Sequence, residues 1–157
     1  MKINLGCGSI LRAGYVNVDL YSEVADVKKD AADYLRGLPD DSVDEIITFH
    51  MIEHLHPKVA REMIRLSYQK LKQGGLIIVE CPNFKETIRE YLAGNKKRVH
   101  NVYGHQRYPG DQHCWGYDDE TLPGLFRWAG FNVTHVGPGT DRHIVWEPCL
   151  RVEGVKP

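Results

Sequence analysis

The strongest constraint on the fold is a glycine turn that directly follows the first predicted strand. Residues 2–5 form a short strand, and Gly6 and Gly8 come immediately after it. Glycines at such a turn allow the backbone a positive φ and let a ligand approach amide groups that a Cβ would block. A dinucleotide-binding turn would need a third glycine where the chain has Leu11. The turn therefore predicts a ligand at this strand end and disfavours a bound pyrophosphate.

Short apolar runs alternate with helical patterns along the rest of the chain. This alternation is typical of an α/β domain whose sheet is mostly parallel. Strands are predicted at residues 2–5, 15–19, 25–28, 44–49, 76–81, 132–136 and 144–152. The clearest helix runs from Pro57 to Gln73, and Gly74 and Gly75 are predicted to end it. A second helix is predicted over residues 119–129.

Length and composition indicate one globular domain. The 157 residues are 42% hydrophobic and 26% charged, which excludes a disordered or fibrous chain and is enough for a core. The longest apolar runs have the length of strands, so we expect no membrane-spanning segment. A net charge of −1 gives no overall attraction to nucleic acid. We therefore predict a single domain over residues 1–157.

The cysteines and the N-terminal residues both suggest a reducing compartment. The four cysteines, at positions 7, 81, 114 and 149, lack the paired spacing of a disulfide framework or a zinc knuckle. The N-terminal residues enter a strand at once and have neither the apolar run nor the cleavage site of a secretory signal. We therefore expect a cytoplasmic protein with reduced thiols.

An aspartate ends the second predicted strand, where a carboxylate can accept both hydroxyls of a ribose. Asp19 follows Gly8 more closely than the spacing of about twenty residues in the dinucleotide pattern. Residues 6–14 are too few for an ordinary crossover helix, although they can return the chain when extended. The first helix is therefore predicted to be shortened or missing.

Five motifs in this order resemble the class I S-adenosylmethionine-dependent methyltransferases. Residues 4–8 (NLGCG) are similar to the family's first motif, and residues 16–20 (VNVDL) to its second strand with the ribose-binding acid. The pair at residues 30–31 (DA) matches the position that usually meets the adenine amino group. Residues 46–55 (IITFHMIEHL) resemble the fourth strand and the segment after it, and residues 71–79 (LKQGGLIIV) the fifth strand. The resemblance implies a Rossmann-like α/β sheet, mostly parallel, with an antiparallel last strand.

The resemblance also implies S-adenosyl-L-methionine as the cofactor and suggests which residues bind it. They are Asn4, Gly6, Cys7, Gly8, Asp19, Leu20, Asp30, Ala31 and His50. Methyl transfer to an oxygen or nitrogen that is protonated at neutral pH needs a general base. The family places His50 near the transferable methyl, and His113 falls in residues 103–117, where the family usually builds its acceptor pocket. Either histidine is therefore a candidate catalytic base.

The segment between the fifth strand and the last helix, about residues 83–117, is predicted to be an acceptor-side insertion. A tract in it resembles small methyltransferases encoded beside sugar-transfer genes. Basic residues outnumber acidic ones between Lys85 and Arg107, which suits a phosphate-bearing acceptor. We therefore expect a small-molecule acceptor, with a sugar or glycan precursor as the leading candidate, and neither a membrane nor a nucleic acid as partner.

Two alternatives to a metal-independent methyltransferase stay open at this point. A protein of this fold can bind the cofactor or a partner without catalysis, because the trimmed scaffold covers the cofactor less completely. A metal-assisted O-methyltransferase is the second, since Glu53 and His54 match a segment that helps to bind a divalent ion in coenzyme-Q and small-RNA methyltransferases. His50 replaces the first acid of that segment, and no metal ligand is predicted.

A homodimer is expected, because a missing helix would expose apolar sheet surface.

Overall fold

The fold is a seven-stranded sheet whose helices pack mainly against one face. The computed structural model describes the backbone of all 157 residues and every side chain except those of Arg142 and Ile144. The strands are β1 (Lys2–Leu5), β2 (Val16–Asp19), β3 (Val27–Lys28), β4 (Val43–Phe49), β5 (Leu71–Pro82), β6 (Asn132–Pro138) and β7 (Cys149–Val155). Their order is β3-β2-β1-β4-β5-β7-β6, and β7 runs antiparallel to both of its neighbours. The predicted Rossmann-like sheet, mostly parallel with an antiparallel last strand, is confirmed.

The helices are α1 (Ala31–Arg36), α2 (Pro57–Lys70), α3 (Phe84–Leu92), α4 (Val99–Tyr103) and α5 (Thr121–Ala129), with 3₁₀ turns at Ile52–His54, Lys96–Arg98 and Arg142–Val145. The backbone of residues 6–15, between β1 and β2, contains no helix, so the predicted loss of the first helix is confirmed. The side chain of Asn17 holds this short connection, because its Oδ1 accepts from Arg12 N–H at 2.9 Å and from Asn4 Nδ2 at 3.0 Å.

Among the described helices, none is both long and apolar enough to cross a bilayer.

Helix α2 follows its predicted pattern but ends earlier than its glycines suggest. It begins at Pro57 and ends at Lys70, before Gly74 and Gly75, so the prediction that these glycines end it is wrong. Leu71 is fully buried, adopts an extended conformation and pairs with β4. Gly74 instead lies inside β5 with φ +75. Burial and strand pairing of Leu71 therefore outweigh the local stop signal.

The last strand also differs from its prediction. β7 begins at Cys149 rather than at residue 144, and residues 139–148 form a loop. Gly139 N–H donates to the Cys149 carbonyl at 3.0 Å, and Asn83 N–H donates to the Pro148 carbonyl at 2.8 Å. These bonds close the loop onto the strands at both ends. The loop 139–148 therefore lies at the same sheet edge as the glycine turn.

The two faces of the sheet differ in character. Ile3, Leu5 and Ile46 belong to the continuous core that α1, α2 and α5 cover. The opposite face carries ion pairs, which are Lys2–Glu45 at 2.7 Å, Arg151–Glu80 at 2.6 Å and Arg151–Glu153 at 2.6 Å. This face is therefore not the apolar surface from which the homodimer was expected, and the homodimer stays a prediction.

Glu80 is the buried centre of the charged face. Its side chain is fully buried and accepts from the Arg151 guanidinium at 2.6 Å, the Thr140 hydroxyl at 2.8 Å and the Asp141 N–H at 2.9 Å. Burial alone would raise the pKa of Glu80, but these donors outweigh it and hold the pKa below its ordinary value. The carboxylate therefore ties β5 to β7 and to the loop 139–148.

We expect Glu80→Gln to lower the free energy of unfolding by about 2 kcal/mol at neutral pH, because charge-assisted hydrogen bonds are lost. A carboxylate with a lowered folded-state pKa stabilises the fold above its unfolded pKa of about 4.3 and loses that contribution as the pH falls through the folded value. The difference between the two proteins should therefore shrink below about pH 4 in urea unfolding experiments. Glu153→Gln, which removes a more exposed partner of Arg151, is the control. A difference that does not change with pH would contradict the prediction.

Candidate active site

A cleft of about 920 Å³ lies at the carboxyl ends of β1 and β4. Its walls come from the glycine turn, the residues that follow β4, the insertion and the loop 139–148. Crevices at this edge of a parallel sheet are the usual ligand sites of doubly wound folds. Small-molecule sites commonly have volumes of about 300–1,000 Å³. The cleft is therefore at the large end of that range.

The glycine turn leaves open space beside its backbone. Gly6 and Gly8 have φ +68 and +53, a region that favours glycine. A Cβ on Gly6 would overlap the side chain of Met51, so packing requires glycine there. A Cβ on Gly8 would meet no atom within 4 Å, and Gly8 lines the cleft. The space beside Gly8 is therefore a cradle that a bound group can fill.

Asp19 is held against this turn by backbone donors. Its Oδ2 accepts from Gly8 N–H at 2.8 Å, and its Oδ1 accepts from the N–H groups of Tyr21 and Ser22, each at 2.8 Å. A carboxylate has about four acceptor positions, so these three donors leave capacity unused. The half-buried Asp19 can therefore still accept a hydrogen bond from a ligand hydroxyl.

Asn4 and Cys7 support the turn and present no reactive group. The Asn4 side-chain amide donates to the Ile10 carbonyl at 3.2 Å and to Asn17 Oδ1 at 3.0 Å. Burial raises the pKa of the Cys7 thiol to about 11. Both residues therefore act through the shape of the backbone that they hold.

The structure brings most of the predicted cofactor residues together at the cleft. Those that line it are Asn4, Gly6, Cys7, Gly8 and His50. Asp19 adjoins it through Gly8, whereas Leu20, Asp30 and Ala31 follow β2 and β3 at the same sheet edge without lining it. Asp30 also caps α1, because its Oδ1 accepts from Ala32 N–H at 2.9 Å. The three residues outside the cleft wall extend the predicted site along that edge.

His50 ends β4 with φ +52, and both of its ring nitrogens face partners. Nδ1 lies 3.3 Å from Glu147 Oε1 and 3.5 Å from Glu53 Oε1, and Nε2 lies 3.6 Å from Cys149 Sγ. Burial would lower the pKa of His50, but the contacts with Cys149 and Glu53 outweigh it and raise the pKa to about 10. A ring that is protonated at neutral pH and enclosed in this way is poorly suited to accept a proton.

Backbone hydrogen bonds hold the segment that carries His113 at the cleft wall. The Glu53 carbonyl accepts from the N–H groups of Cys114 and Trp115, at 2.7 Å and 3.2 Å. Nδ1 of His113 lies 2.8 Å from the Asn101 carbonyl, so Nδ1 carries the hydrogen and Nε2 keeps its lone pair. Burial lowers the pKa of His113. His113 is therefore a neutral imidazole with a nitrogen that can accept a proton.

Glu53 lies among the cleft histidines with its carboxylate enclosed by protein. The residue is 2% exposed, and neither oxygen has a hydrogen-bond partner among the described side chains. Burial would raise the pKa of Glu53, but the positive charge on His50 outweighs it and holds the pKa low. The next residue, His54, contacts the His113 ring edge-on at a centroid distance of 4.8 Å. A buried carboxylate thus faces the imidazoles of His50, His54 and His113.

The loop 139–148 supplies a cleft wall that sequence reasoning missed. Its lining residues are Asp141, His143, Trp146 and Glu147. The His143 ring packs against His50 at a centroid distance of 3.9 Å. Pro148 lies inside the predicted strand 144–152, and a proline there is a signal that could have moved the start of this strand to Cys149.

The insertion folds back over the residues that follow β2. Residues 104–112 form a loop closed by an antiparallel bridge. Arg107 binds the buried Asp111 through two hydrogen bonds, at 2.9 Å and 3.0 Å, which hold the pKa of Asp111 well below its usual range. A Cβ on Gly110 would lie 2.8 Å from the Tyr21 ring, so this loop packs against the residues that follow β2. The loop therefore covers one side of the cleft.

The strand order, together with a cleft at the carboxyl ends of β1 and β4, places the chain among the class I S-adenosylmethionine-dependent methyltransferases. A family profile described as a methyltransferase domain matches residues 9–136. The chain belongs to this methyltransferase family, and it is an enzyme that uses S-adenosyl-L-methionine. The family resemblance seen in the sequence is confirmed.

Solved structures share this fold over nearly the whole chain. A methyltransferase from Archaeoglobus fulgidus is similar with a TM-score of 0.67 and 18% identity, covering 99% of this chain and 85% of that one. One from Methanosarcina mazei has a TM-score of 0.67 and 15% identity, covering 99% and 91%. Magnesium protoporphyrin IX methyltransferase from Synechocystis, with bound SAH, has a TM-score of 0.60 and 15% identity, covering 100% and 74%. At these identities the similarity shows the fold. A search of curated proteins gave no match.

Proposed function

We propose that the protein methylates an oxygen or nitrogen of a small-molecule acceptor, with a sugar or glycan precursor as the leading candidate. The continuity of the cleft carries this proposal, because Gly8 and His113 line the same cavity. Methyl transfer is an in-line displacement, and much of its acceleration comes from holding the donor and the acceptor in contact geometry. A single cleft that contains both the glycine turn and a neutral histidine can hold the methyl donor and the acceptor side by side.

The residues at the glycine turn fit S-adenosyl-L-methionine, which supplies an electrophilic methyl group on a sulfonium when it is bound. Gly8 gives the cofactor room beside the backbone, and Asp19 has acceptor capacity for its ribose hydroxyls. Asp30 and Ala31, with Leu20 beside them, are assigned to the adenine. The remaining residues are assigned to the part of the site that encloses the cofactor near its transferable methyl group, and they are Asn4, Gly6, Cys7 and His50.

Aromatic and basic side chains in the cleft support a sugar-like acceptor that carries phosphate. Trp146 and Tyr108 are 75% and 55% exposed and line the cleft together with Lys97 and Arg98. Arg98 is already oriented, because Nε donates to Glu90 at 2.6 Å and Nη1 donates to the Trp146 carbonyl at 2.6 Å. Aromatic faces suit the apolar side of a sugar ring, and guanidinium and ammonium groups suit phosphate.

His113 is the better placed of the two predicted bases. Its Nδ1 is engaged by the Asn101 carbonyl, which leaves Nε2 to accept a proton from the acceptor. Both nitrogens of His50 face other side chains, so we assign His50 to the wall of the cleft as a protonated imidazole and not as the base. A positioned general base typically contributes about 100- to 10,000-fold to the rate.

Calorimetric titration with S-adenosyl-L-methionine tests the cofactor site. We expect Asp19→Asn to weaken binding by at least about tenfold, which is about 1.4 kcal/mol, because one negative charge and ribose acceptor capacity are lost. Asp26→Asn is the matched control, since Asp26 also accepts a backbone N–H, from Asn17 at 2.8 Å, but does not line the cleft. Equal binding by the wild type and Asp19→Asn would remove Asp19 from the site.

A screen of methyl acceptors with radiolabelled cofactor separates the enzyme from the non-catalytic alternative. The acceptors should include sugars, sugar phosphates and nucleotide-linked sugars, with simple phenols and amines beside them. Labelling of a sugar-containing acceptor supports the proposal. Labelling of phenols or amines alone would contradict the sugar assignment. Cofactor binding without transfer to any acceptor would favour a binding protein of the same fold.

A further inference from the structure

Three side chains that can bind a metal ion converge on the wall of the cleft. One ligand atom from each of Glu53, His54 and His113 lies within 4.8 Å of the other two, and all three residues line the cavity. We propose that they bind one divalent first-row transition-metal ion, with an open position that takes an oxygen of the methyl acceptor. Two imidazoles and a carboxylate are a common ligand set for zinc and iron, whereas magnesium prefers oxygen ligands.

The carboxylate of Glu53 is the main reason for a cation here. It is buried, and the described side chains offer no hydrogen bond to either of its oxygens. His50 Nδ1 stands 3.5 Å from Oε1, which is longer than a well-formed hydrogen bond. Buried carboxylates are normally hydrogen-bonded or bound to a metal, because an unsatisfied buried charge is costly. An ion beside Glu53 would satisfy these oxygens.

The two histidines are oriented as metal-binding imidazoles are. Nδ1 of His54 lies 3.0 Å from the Gln112 carbonyl, and Nδ1 of His113 lies 2.8 Å from the Asn101 carbonyl. Each Nδ1 donates its hydrogen to a carbonyl, so each Nε2 keeps a lone pair for an ion. Metal-binding histidines nearly always donate their other N–H in this way.

The ligand atoms already lie close to the spacing that an ion requires. An ion with tetrahedral bonds of about 2.1 Å holds its ligand atoms about 3.4 Å apart, and the three ligand atoms here lie within 4.8 Å of one another. The backbone is already fixed, because the Glu53 carbonyl accepts from Cys114 N–H at 2.7 Å and His113 N–H donates to the Tyr103 carbonyl at 3.1 Å. The ligands line the cleft, so a remaining coordination position is open to an acceptor.

An ion at this site would change what His113 does. Its Nε2 would be a ligand and could not accept a proton, and an acceptor hydroxyl bound to the ion would lose its proton to solvent more readily. This consequence rests on the proposed methyl transfer, whereas ion binding itself does not. The two roles of Nε2 are exclusive, so a measurement of ion binding decides between them.

The test uses tag-free protein that has been treated with a chelator and then titrated with Zn²⁺ or Mn²⁺ in a calorimeter. We expect one ion per chain, and we expect Co²⁺ bound at the same site to show visible absorption bands of nitrogen coordination. His54→Ala and Glu53→Gln should weaken ion binding by at least about tenfold and reduce the Co²⁺ bands. Loss of the bands together with loss of affinity would identify these residues as ligands.

His105→Ala is the matched control for nonspecific binding to histidine. His105 lines the same cleft and stacks on His100 at a centroid distance of 5.0 Å, outside the proposed site, so this variant should bind the ion like the wild type. If Glu53→Gln fails to fold, His54→Ala decides the matter, because His54 is only partly buried. The absence of one-to-one binding, or unchanged binding in His54→Ala, overturns the metal site. Titration of the same samples with S-adenosyl-L-methionine reports separately on the proposed function.

Discussion

Gly8→Leu is expected to weaken the binding of S-adenosyl-L-methionine by at least about 100-fold, or about 2.7 kcal/mol, while the domain stays folded. Gly8 has φ +53 and lines the cleft, and a Cβ added to it would meet no atom within 4 Å. The Cβ of a leucine therefore fits beside the backbone, and the rest of the side chain would occupy the space in the cleft that is assigned to the cofactor. Calorimetry measures the loss of binding, and circular dichroism checks the fold.

Gly14→Leu controls for the effect of the backbone. Gly14 has φ +82 and also has open space at its Cβ position, but it does not line the cleft. Both substitutions carry the same kind of penalty, about 1–2 kcal/mol, for a side chain in the left-handed region. Equal losses of affinity would trace the effect to the backbone, and wild-type affinity in Gly8→Leu would show that the cofactor does not occupy this space.

The cofactor side of the cleft could be predicted because its signals are local in the sequence. Gly6 and Gly8 directly follow one strand, and Asp19 ends the next. Neighbouring parallel strands bring their carboxyl ends to one edge, and the structure places Gly8 N–H 2.8 Å from Asp19 Oδ2. A turn pattern and a strand order are therefore enough to predict that these groups meet.

The acceptor side could not be predicted in the same way, because its contacts join distant parts of the chain. The raised pKa of His50 depends on Glu53 and Cys149, and Glu147 Oε1 lies 3.3 Å from its Nδ1. No spacing rule brings Glu147 and Cys149 to the end of β4. Residues 144–146 also have the apolar pattern of a strand, although they lie in the loop 139–148. Sequence patterns identified His113 as a candidate, but the tautomer of its ring follows from a contact with Asn101.

A second large effect is expected at Gly104, the first residue of the loop 104–112, which leads to His113. Gly104 has φ +74, and a Cβ there would overlap the carbonyl oxygen of Asp111 and lie 2.9 Å from the backbone nitrogen of His113. Both of these atoms belong to the backbone, so they cannot move aside as a flexible side chain would. The loop has to shift in Gly104→Ala, and His113 shifts with it.

We therefore expect Gly104→Ala to lower kcat/KM for methyl transfer by about 100-fold or more, since a displacement of about 1 Å at a reacting group is enough for such a loss. Cofactor affinity should fall much less than kcat/KM, because the glycine turn and Asp19 lie on other elements and the loop reaches them through its packing against Tyr21. Gly94→Ala is the matched control, as Gly94 has φ +108 but open space at its Cβ position. Full activity in Gly104→Ala would show that His113 does not act on the acceptor from this loop. An equal loss of activity in Gly94→Ala would mean that backbone strain alone is responsible.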